Sequence, residues 1–231
     1  MEAKAIRAGW VKMKIRDEVR LEPSDIAQLK KMPAFLRAHS MRVGVYARML
    51  AVKARYAKTQ EDADFVYRAA IFHDVGKDTV SSGLYMKEGP LSEQEWNAIR
   101  QHVLIGTGVI SGMRDKQKDK HFWDMAADAC RYHHEKWDGS GYLCGLKGET
   151  IPLIARIVAL ADSFDAMLDD RCYSPKVLCK DAFAEIRRCS GTQFDPFLAE
   201  IFCSMENQLV ELQDRCDMMK NRKIYREEKP E

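Results

Sequence analysis

Signals that start an α-helix recur along this chain, at the head of one apolar run after another. Ser92 stands three residues before Glu95, the spacing of a capping box, and Pro175 and Pro196 occupy first-turn positions behind a capping residue. The stretch PSDIAQL opens a helix in the same way. Apolar residues recur with a helical period over 40–56, 62–73, 121–133, 152–168, 176–189 and 196–213. No run alternates as a strand between hairpin signals, so we predict an all-α fold.

The charge and hydropathy of the chain exclude several classes of partner. The 37 Lys and Arg residues nearly balance the 35 Asp and Glu residues, and the net charge of +2 gives no case for a nucleic-acid polymer or a membrane surface. No apolar run approaches the roughly 18 residues of a membrane span, and the N-terminus lacks the apolar core of a signal peptide. We therefore predict a cytoplasmic protein. Its seven scattered cysteines, without a CxxC pair, indicate reduced thiols.

The length of the chain fits one substantial domain with short additions. We place the domain at 30–214, between an N-terminal helical segment at 1–29 and a charged tail at 215–231. The N-terminal segment is amphipathic and could support a homodimer. The least regular internal stretches are 78–90 and 138–150, both rich in Gly, Ser and Lys. No sensor or receiver pattern is recognisable, which leaves signalling-protein partners open.

Five of the six histidines and two aspartates stand at the ends of apolar runs or on their inner faces. They are His39, His73, Asp74, His102, His133, His134 and Asp162. A single histidine on an apolar helix is more often a hydrogen-bonded core residue than a ligand. Jointly, however, a helical core would not bury so many ionisable groups unpaired. Neutral imidazole and carboxylate groups donate directly to a cation, so the set predicts a metal centre.

Two adjacent pairs within this set indicate more than one ion. Neighbouring residues on a helix point about 100° apart, so His73 and Asp74, or His133 and His134, reach two positions that one side chain could not. A carboxylate has two oxygens, and Asp74 is therefore suited to bridge two cations. The pairs predict a two-metal site.

The blocks HDVGK, HVLIG, HHEKWDGSGY and ARIVALADSFDAM follow one another in that order, with HSMRV upstream and GTQFDP downstream. In this order they resemble the HD-GYP branch of the HD phosphohydrolases, over roughly residues 30 to 205. The resemblance implies an all-helical bundle that binds two or three ions, commonly iron or manganese. It also implies hydrolysis of a small cyclic dinucleotide, chiefly cyclic di-GMP, to linear pGpG or GMP by a hydroxide that bridges the ions.

The resemblance assigns a role to each matching position. The first metal would be held by His39, His73, Asp74 and Asp162, and Asp74 would bridge to a second metal held by His102, His133 and His134. Asp74 and Lys77 would be the catalytic residues, with Lys77 on a substrate phosphate. The other substrate-binding positions would be Gly139, Gly141, Tyr142 and Arg156, of which Arg156 could instead be structural.

Three positions depart from the family pattern. Leu143 stands where the family name requires proline, and we expect a changed loop with the metal site retained. The 78–90 stretch differs from the usual continuation after the HDxGK block, so substrate choice is less firmly indicated than the chemistry. Family members with three metals carry Glu four residues before the first histidine, where this chain has Phe35. We therefore predict two ions.

Two other functions are left open by the sequence. The chain could hydrolyse another cyclic dinucleotide or a nucleotide monoester with the same metal chemistry. It could also be a signalling module that binds its ligand without turning it over, although every position of the two-metal ligand set is filled.

Overall fold

The computed structural model describes residue 19 and the ranges 21–79, 82–85, 87, 89–115, 119–169 and 177–213. In chain order its α-helices are α1 (Pro23–Leu29), α2 (Ala34–Lys53), α3 (Gln60–Ile71), α4 (Ser82–Tyr85), α5 (Glu93–Arg100), α6 (His102–Arg114), α7 (Lys120–Tyr132), α8 (Leu153–Leu168), α9 (Cys179–Arg188) and α10 (Pro196–Cys203). Residues 206–213 are helical too, and Val75–Thr79 and Gly148–Thr150 form short 3-10 helices. Within the described ranges the only β-type pairing is one bridge between Ser190 and Phe194, so the all-α prediction is confirmed.

The helix boundaries follow the capping signals where those signals are strong. The N–H of Glu95 donates to Ser92 Oγ, and the N–H of Ser92 donates to the Glu95 carboxylate at 2.7 Å, which completes the predicted capping box. Pro196 opens α10 as predicted. The helix predicted from residue 176 begins instead at Cys179, because Leu178 has an extended backbone. Pro175 lies outside the described residues.

The core is built around α2 and α8. Helix α2 packs against both α3 and α8, while α6 packs against α7. The ring of Phe164 on α8 contacts the rings of Tyr46, Phe183 and Phe202, with centroids 5.0–5.2 Å apart. All four aromatic residues are fully buried. Because α2 carries His39 and α8 carries Asp162, this packing fixes two candidate ligands relative to each other.

Helix α1 is fastened to the bundle by a buried ion pair. The Arg68 Nε atom lies 2.7 Å from the Asp25 carboxylate, and neither residue is more than 9% exposed. The Arg68 guanidinium also lies 4.2 Å from the centroid of the Phe122 ring. A buried charge is retained only when it is paired, so this contact docks α1 against α3 and α7. The predicted segment boundary at residue 29 stays a prediction, and residues 1–18 and 214–231 lie outside the described residues.

Within the part of the chain that the structure describes, no helix has the length and apolar character needed to cross a bilayer. The described cysteines, Cys130, Cys144, Cys179, Cys189 and Cys203, are free thiols. None of these five belongs to the groups of candidate metal ligands described below.

Candidate metal centre

The centre of the site is the turn that follows α3. His73 and Asp74 lie in this turn, between the last helical residue, Ile71, and the 3-10 helix Val75–Thr79. Both side chains are fully buried. Gly76 brings the turn against the start of α6, since a Cβ atom there would lie 2.0 Å from the carbonyl oxygen of His102. The close approach of the two backbones therefore places His102 beside Asp74.

The structure brings all seven sequence-predicted ligands together as two groups. One comprises Asp74, His102, His133 and His134, and the other comprises His39, His73 and Asp162. Within each group the candidate ligand atoms lie within 4.8 Å of one another. The roles of these side chains as ligands stay predictions, but their convergence from three helices and two turns is a property of the fold.

Asp74 lies between the two groups. Its Oδ1 atom is 3.3 Å from His102 Nε2 and 3.7 Å from His133 Nε2. Its Oδ2 atom is 3.3 Å from His73 Nε2 and 3.6 Å from His39 Nε2. Each carboxylate oxygen thus faces a different group of imidazoles, which is the arrangement that a bridging carboxylate requires.

Main-chain carbonyls fix the orientation of three of the imidazoles. The Nδ1 atoms of His73, His102 and His133 lie 2.7, 2.6 and 2.8 Å from the carbonyl oxygens of residues 70, 99 and 130. A carbonyl oxygen can only accept, so each Nδ1 carries the proton and donates it. In the neutral ring the Nε2 lone pair then points away from its own helix and towards the site, as in metal-binding histidines.

The buried polar atoms of the site lack the partners that such atoms usually have. Among the described residues, Asp74 Oδ1 and the Nε2 atoms of His39, His73, His102 and His133 are buried without a hydrogen-bond partner. A buried polar atom without a hydrogen bond costs roughly 1–3 kcal/mol, so a cluster of such atoms is a large uncompensated term. Divalent cations would satisfy all of them, and the donor set therefore fits metal ions.

The charge states of His133 and Asp74 suit cation binding, whereas that of His73 would change on binding. Burial lowers the pKa of His133 to about 3, helped by the neighbouring charge of His73, so the His133 ring is neutral near pH 7. Burial opposes ionisation of Asp74, but His73 and Lys77 hold the pKa of its carboxyl well below the usual range. Burial by itself lowers the pKa of His73. The Asp74 and Asp162 carboxylates outweigh this effect and raise the pKa of His73 to about 9. His73 therefore holds a proton that a bound cation would displace.

Two residues that the sequence reasoning missed hold His39 in place. Asp165 Oδ2 accepts from His39 Nδ1 at 2.7 Å, and Arg42 donates to both oxygens of the same carboxylate at 2.7 and 2.9 Å. A carboxylate behind a ligating imidazole fixes its tautomer and increases its basicity. Asp165 stands three residues after Asp162 and Arg42 three residues after His39, so each lies about one helical turn from a predicted ligand, but no local pattern joins Asp165 to His39.

Lys77 forms an ion pair with the Asp74 carboxylate through its ammonium group. Its Nζ atom is 2.6 Å from Asp74 Oδ2, and only 12% of its side chain is exposed. Lys77 is not among the described residues that line the cavity beside the site. Its predicted contact with a substrate phosphate stays a prediction, and the structure gives it the additional role of orienting the shared carboxylate.

A cavity of about 480 Å³ opens onto the second group of candidate ligands. Its walls include His133, His134 and Asp162 from the site, and Gly141 and Tyr142 from the glycine-rich loop. This volume is in the range of pockets that hold cofactors and other small molecules. The Tyr142 ring stacks on the His134 ring, with centroids 4.7 Å apart and an interplanar angle of 25°. The loop thus forms one wall of a pocket next to the candidate metal ligands.

Gly141 and Glu135 determine how the glycine-rich loop turns back. A Cβ atom on Gly141 would lie 2.5 Å from the Glu135 Cα atom, so only glycine allows this approach. The Glu135 carboxylate is 3% exposed and accepts from the N–H groups of Cys144 and Leu146, at 2.8 and 3.1 Å. Gly139 has a positive φ of 85° and makes the first turn of the loop.

Leu143 has a backbone conformation that proline cannot adopt. Its φ is 95°, in the left-handed region, whereas a proline ring fixes φ near −65°. The expectation of a changed loop stays a prediction, and the candidate ligands His133 and His134 lie together beside this position. The turn at residue 143 is formed by a residue at positive φ, which proline could not replace without a change of backbone.

Restoring proline at this position is expected to damage the loop. We expect Leu143→Pro to lower the melting temperature, because the φ of 95° is closed to proline, and Leu143→Gly to stabilise the protein by roughly 1 kcal/mol by removing backbone strain. Thermal unfolding followed by circular dichroism measures both effects. Leu178→Gly is the matched control, since Leu178 is exposed but has an ordinary φ of −65° and should gain nothing. A Leu143→Pro protein as stable as the parent would contradict the described loop.

Arg156 is engaged away from the cavity. Its Nη1 atom donates to Asp195 Oδ2 at 2.6 Å and its Nε atom donates to the carbonyl oxygen of Ile151 at 2.9 Å. The guanidinium also lies over the Trp137 ring, 5.8 Å from its centroid. These contacts join the first turn of α8 to the cap of α10, so a phosphate could bind Arg156 only at their expense. These contacts support the structural role of Arg156, and its role in substrate binding stays a prediction.

Phe35 provides no ligand atom at the position that a third ion would use. It lies on α2 one turn before His39, and 46% of it is exposed. The predicted number of two ions rests on this residue and stays a prediction.

Comparison with known proteins identifies the family. Residues 23–198 match the HD domain family. A cyclic di-GMP phosphodiesterase of Vibrio cholerae serotype O1 is 35% identical over 179 residues, which cover 75% of this chain and 36% of that protein. A 3'3'-cGAMP-specific phosphodiesterase of the same organism is 34% identical over 173 residues, 75% of this chain and 32% of that protein. The chain thus spans about a third of the length of these curated relatives.

A solved structure has the same fold. It is Bd1817, an HDG"Y"P protein from Bdellovibrio bacteriovorus, which aligns with a TM-score of 0.56 and 17% identity over 76% of this chain and 52% of that chain. By its family match and its curated relatives, the chain belongs to the HD-domain family. The resemblance stated from the sequence blocks is therefore confirmed.

Proposed function

We propose that this chain is a metal-dependent phosphodiesterase that hydrolyses a cyclic dinucleotide, cyclic di-GMP, to linear pGpG or GMP. The observation that carries the proposal is the position of Asp74. One of its oxygens faces His102 and His133, and the other faces His39 and His73. Two adjacent cation sites that share a carboxylate are the arrangement used by two-metal phosphoesterases.

The ions that fit best are two divalent cations, iron or manganese. One would be held by His39, His73, Asp74 and Asp162, and the other by Asp74, His102, His133 and His134. Mixed imidazole and carboxylate ligands suit several divalent first-row metals, so availability decides among them. When bound, the pair would supply positive charge to the phosphate oxygens and lower the pKa of an attacking water.

The side chains around the ions would keep this geometry. Asp165 and the main-chain carbonyls hold the imidazoles by their Nδ1–H groups, which leaves Nε2 for the ions. Lys77 holds Asp74 Oδ2 and adds a cation to a region where phosphate charge must be stabilised. Tyr142 and Gly141 line the cavity in which the nucleotide would lie.

The named relatives support this substrate class and also the main alternative. One relative is a cyclic di-GMP phosphodiesterase and another is specific for 3'3'-cGAMP, at nearly equal identity of 35% and 34%. Because the two substrates differ in one purine base, the choice between them depends on the cavity walls and not on the metal ligands. A module that binds the nucleotide without hydrolysis is the second alternative.

Product analysis tests the proposal. Protein stripped with a chelator and reloaded anaerobically with ferrous iron or manganese would be incubated with cyclic di-GMP and, separately, with 3'3'-cGAMP. We expect linear pGpG or GMP with the reloaded protein and no product with the stripped protein, as measured by chromatography. Hydrolysis of 3'3'-cGAMP alone would establish the first alternative. Binding of either nucleotide without product, in protein shown to contain metal, would establish the second.

A further inference from the structure

Arg100 places a cation next to the candidate metal centre. It is the last residue of α5 and stands two positions before His102, the first residue of α6. Its guanidinium carbon lies 5.2 Å from the centroid of the Tyr142 ring, and that ring stacks on His134. One aromatic ring therefore separates the guanidinium from a candidate ligand. Arg100 also lines the cavity beside the site.

The charge of Arg100 is not neutralised by a neighbouring acid. Asp162 of the cavity wall lies 3.0 Å from His39 Nε2, and Glu135 accepts from two N–H groups of the loop. Among the described residues, Arg100 has no ion-pair partner, and its guanidinium makes a cation–π contact with the Tyr142 ring. Lys136 also lines the cavity without a described ion-pair partner, but only Arg100 lies against the Tyr142–His134 stack. Arg100 is an exposed residue of the cavity wall, so its charge is open to an anionic ligand that enters the cavity.

We propose that Arg100 binds the second phosphate of the cyclic dinucleotide, the one that is not being cleaved. This inference rests on the proposed function, because it requires a substrate with two phosphodiesters in one ring. The phosphate at the metal centre would be bound by the ions and Lys77, whereas the other must also lose its water when the nucleotide enters the cavity. A guanidinium offers two parallel N–H donors to phosphate oxygens, and that of Arg100 lies over the Tyr142 ring, 5.2 Å from its centroid.

Substrates with one and two phosphates separate this role from a general effect on the site. We expect Arg100→Gln to lower kcat/KM for cyclic di-GMP by about 10- to 100-fold, the value of a charged hydrogen bond. With bis(p-nitrophenyl) phosphate, which has a single phosphate, the same variant should stay within about twofold of the parent. Arg100→Lys keeps the charge but not the paired donors and should lose less. Arg131→Gln is the matched control, since Arg131 is exposed and its guanidinium lies 5.5 Å from the Tyr132 ring centroid.

The result that would overturn the inference is an equal loss on both substrates, or no loss on either. Equal loss would mean that Arg100 acts by positioning Tyr142 and His134. Calorimetric titration with a slowly hydrolysed phosphorothioate analogue of cyclic di-GMP gives a readout without turnover, and Arg100→Gln should raise its dissociation constant at least about 10-fold. If the parent binds the analogue but does not hydrolyse cyclic di-GMP, the proposed function is wrong and the dissociation constants still decide the role of Arg100. If the parent does neither, both proposals are wrong.

Discussion

Replacing Asp74 with alanine is expected to remove most of the bound metal and to lower phosphodiesterase activity by about 1000-fold or more. The reason is that each oxygen of the Asp74 carboxylate faces a different group of candidate ligands. Loss of the carboxylate removes one negative donor from each group, and the ions supply several kcal/mol of transition-state stabilisation, about tenfold in rate for each 1.4 kcal/mol. The loss should exceed that of any substitution at a histidine belonging to one group alone.

Metal content and activity together make this prediction specific. We would measure the metal in anaerobically reloaded protein by mass spectrometry and the turnover of cyclic di-GMP in the same samples. Asp74→Asn keeps the volume of the side chain and removes only its charge, and it should lose activity to a similar degree. Asp124→Asn is the control, because Asp124 is an exposed residue of α7 whose described partner is Arg114. Full metal content with full activity in Asp74→Ala would show that the carboxylate does not bridge.

The candidate ligands could be predicted because each lies within a short block with its own local pattern. The dipeptide HD at the end of an apolar helix and the pair HH before glycines identify His73, Asp74, His133 and His134 without knowledge of the fold. The helices could be predicted for the same reason, since their apolar period and capping residues are local. A single block does not predict the distance in space between itself and the other blocks.

The contacts that the sequence did not reveal join distant parts of the chain or depend on backbone angles. The bond between His39 and Asp165 spans 126 residues, and neither residue alone indicates the other. The same is true of Arg156 and Asp195, which are 39 residues apart. The sequence shows that residue 143 departs from proline, but only the backbone shows a φ of 95°.

Two glycines explain how the turn after α3 and helices α6 and α7 come close enough to form the site. A Cβ atom on Gly106 of α6 would lie 3.0 Å from the backbone nitrogen of Gly76 and 2.6 Å from Cys130 Sγ on α7. Helix α6 is therefore in direct contact with the Asp74 turn on one side and with α7 on the other. Because α6 begins with His102 and His133 caps α7, these two approaches bring three candidate ligands into one group.

Gly76→Ala is accordingly expected to destabilise the protein by at least about 3 kcal/mol and to separate Asp74 from His102. The added Cβ atom would lie 2.0 Å from the carbonyl oxygen of His102 and 2.5 Å from the nitrogen of Gly106. Both are backbone atoms of α6, so the clash cannot be relieved by rotating a side chain. The turn or the helix must move as a unit, and the second metal site would be lost with either movement.

Urea unfolding of metal-free protein measures the stability effect, and metal content after reloading measures the effect on the site. Gly112→Ala on the same helix is the matched control. A Cβ atom there meets no atom within 4 Å, so alanine should stabilise α6 by up to about 1 kcal/mol through its higher helix propensity. Opposite signs for the same substitution on neighbouring elements would show that the contact at Gly76, and not the loss of a glycine, matters. If Gly76→Ala kept the stability and metal content of the parent, α6 could not lie as close to the Asp74 turn as described, and the shared position of Asp74 would have to be abandoned.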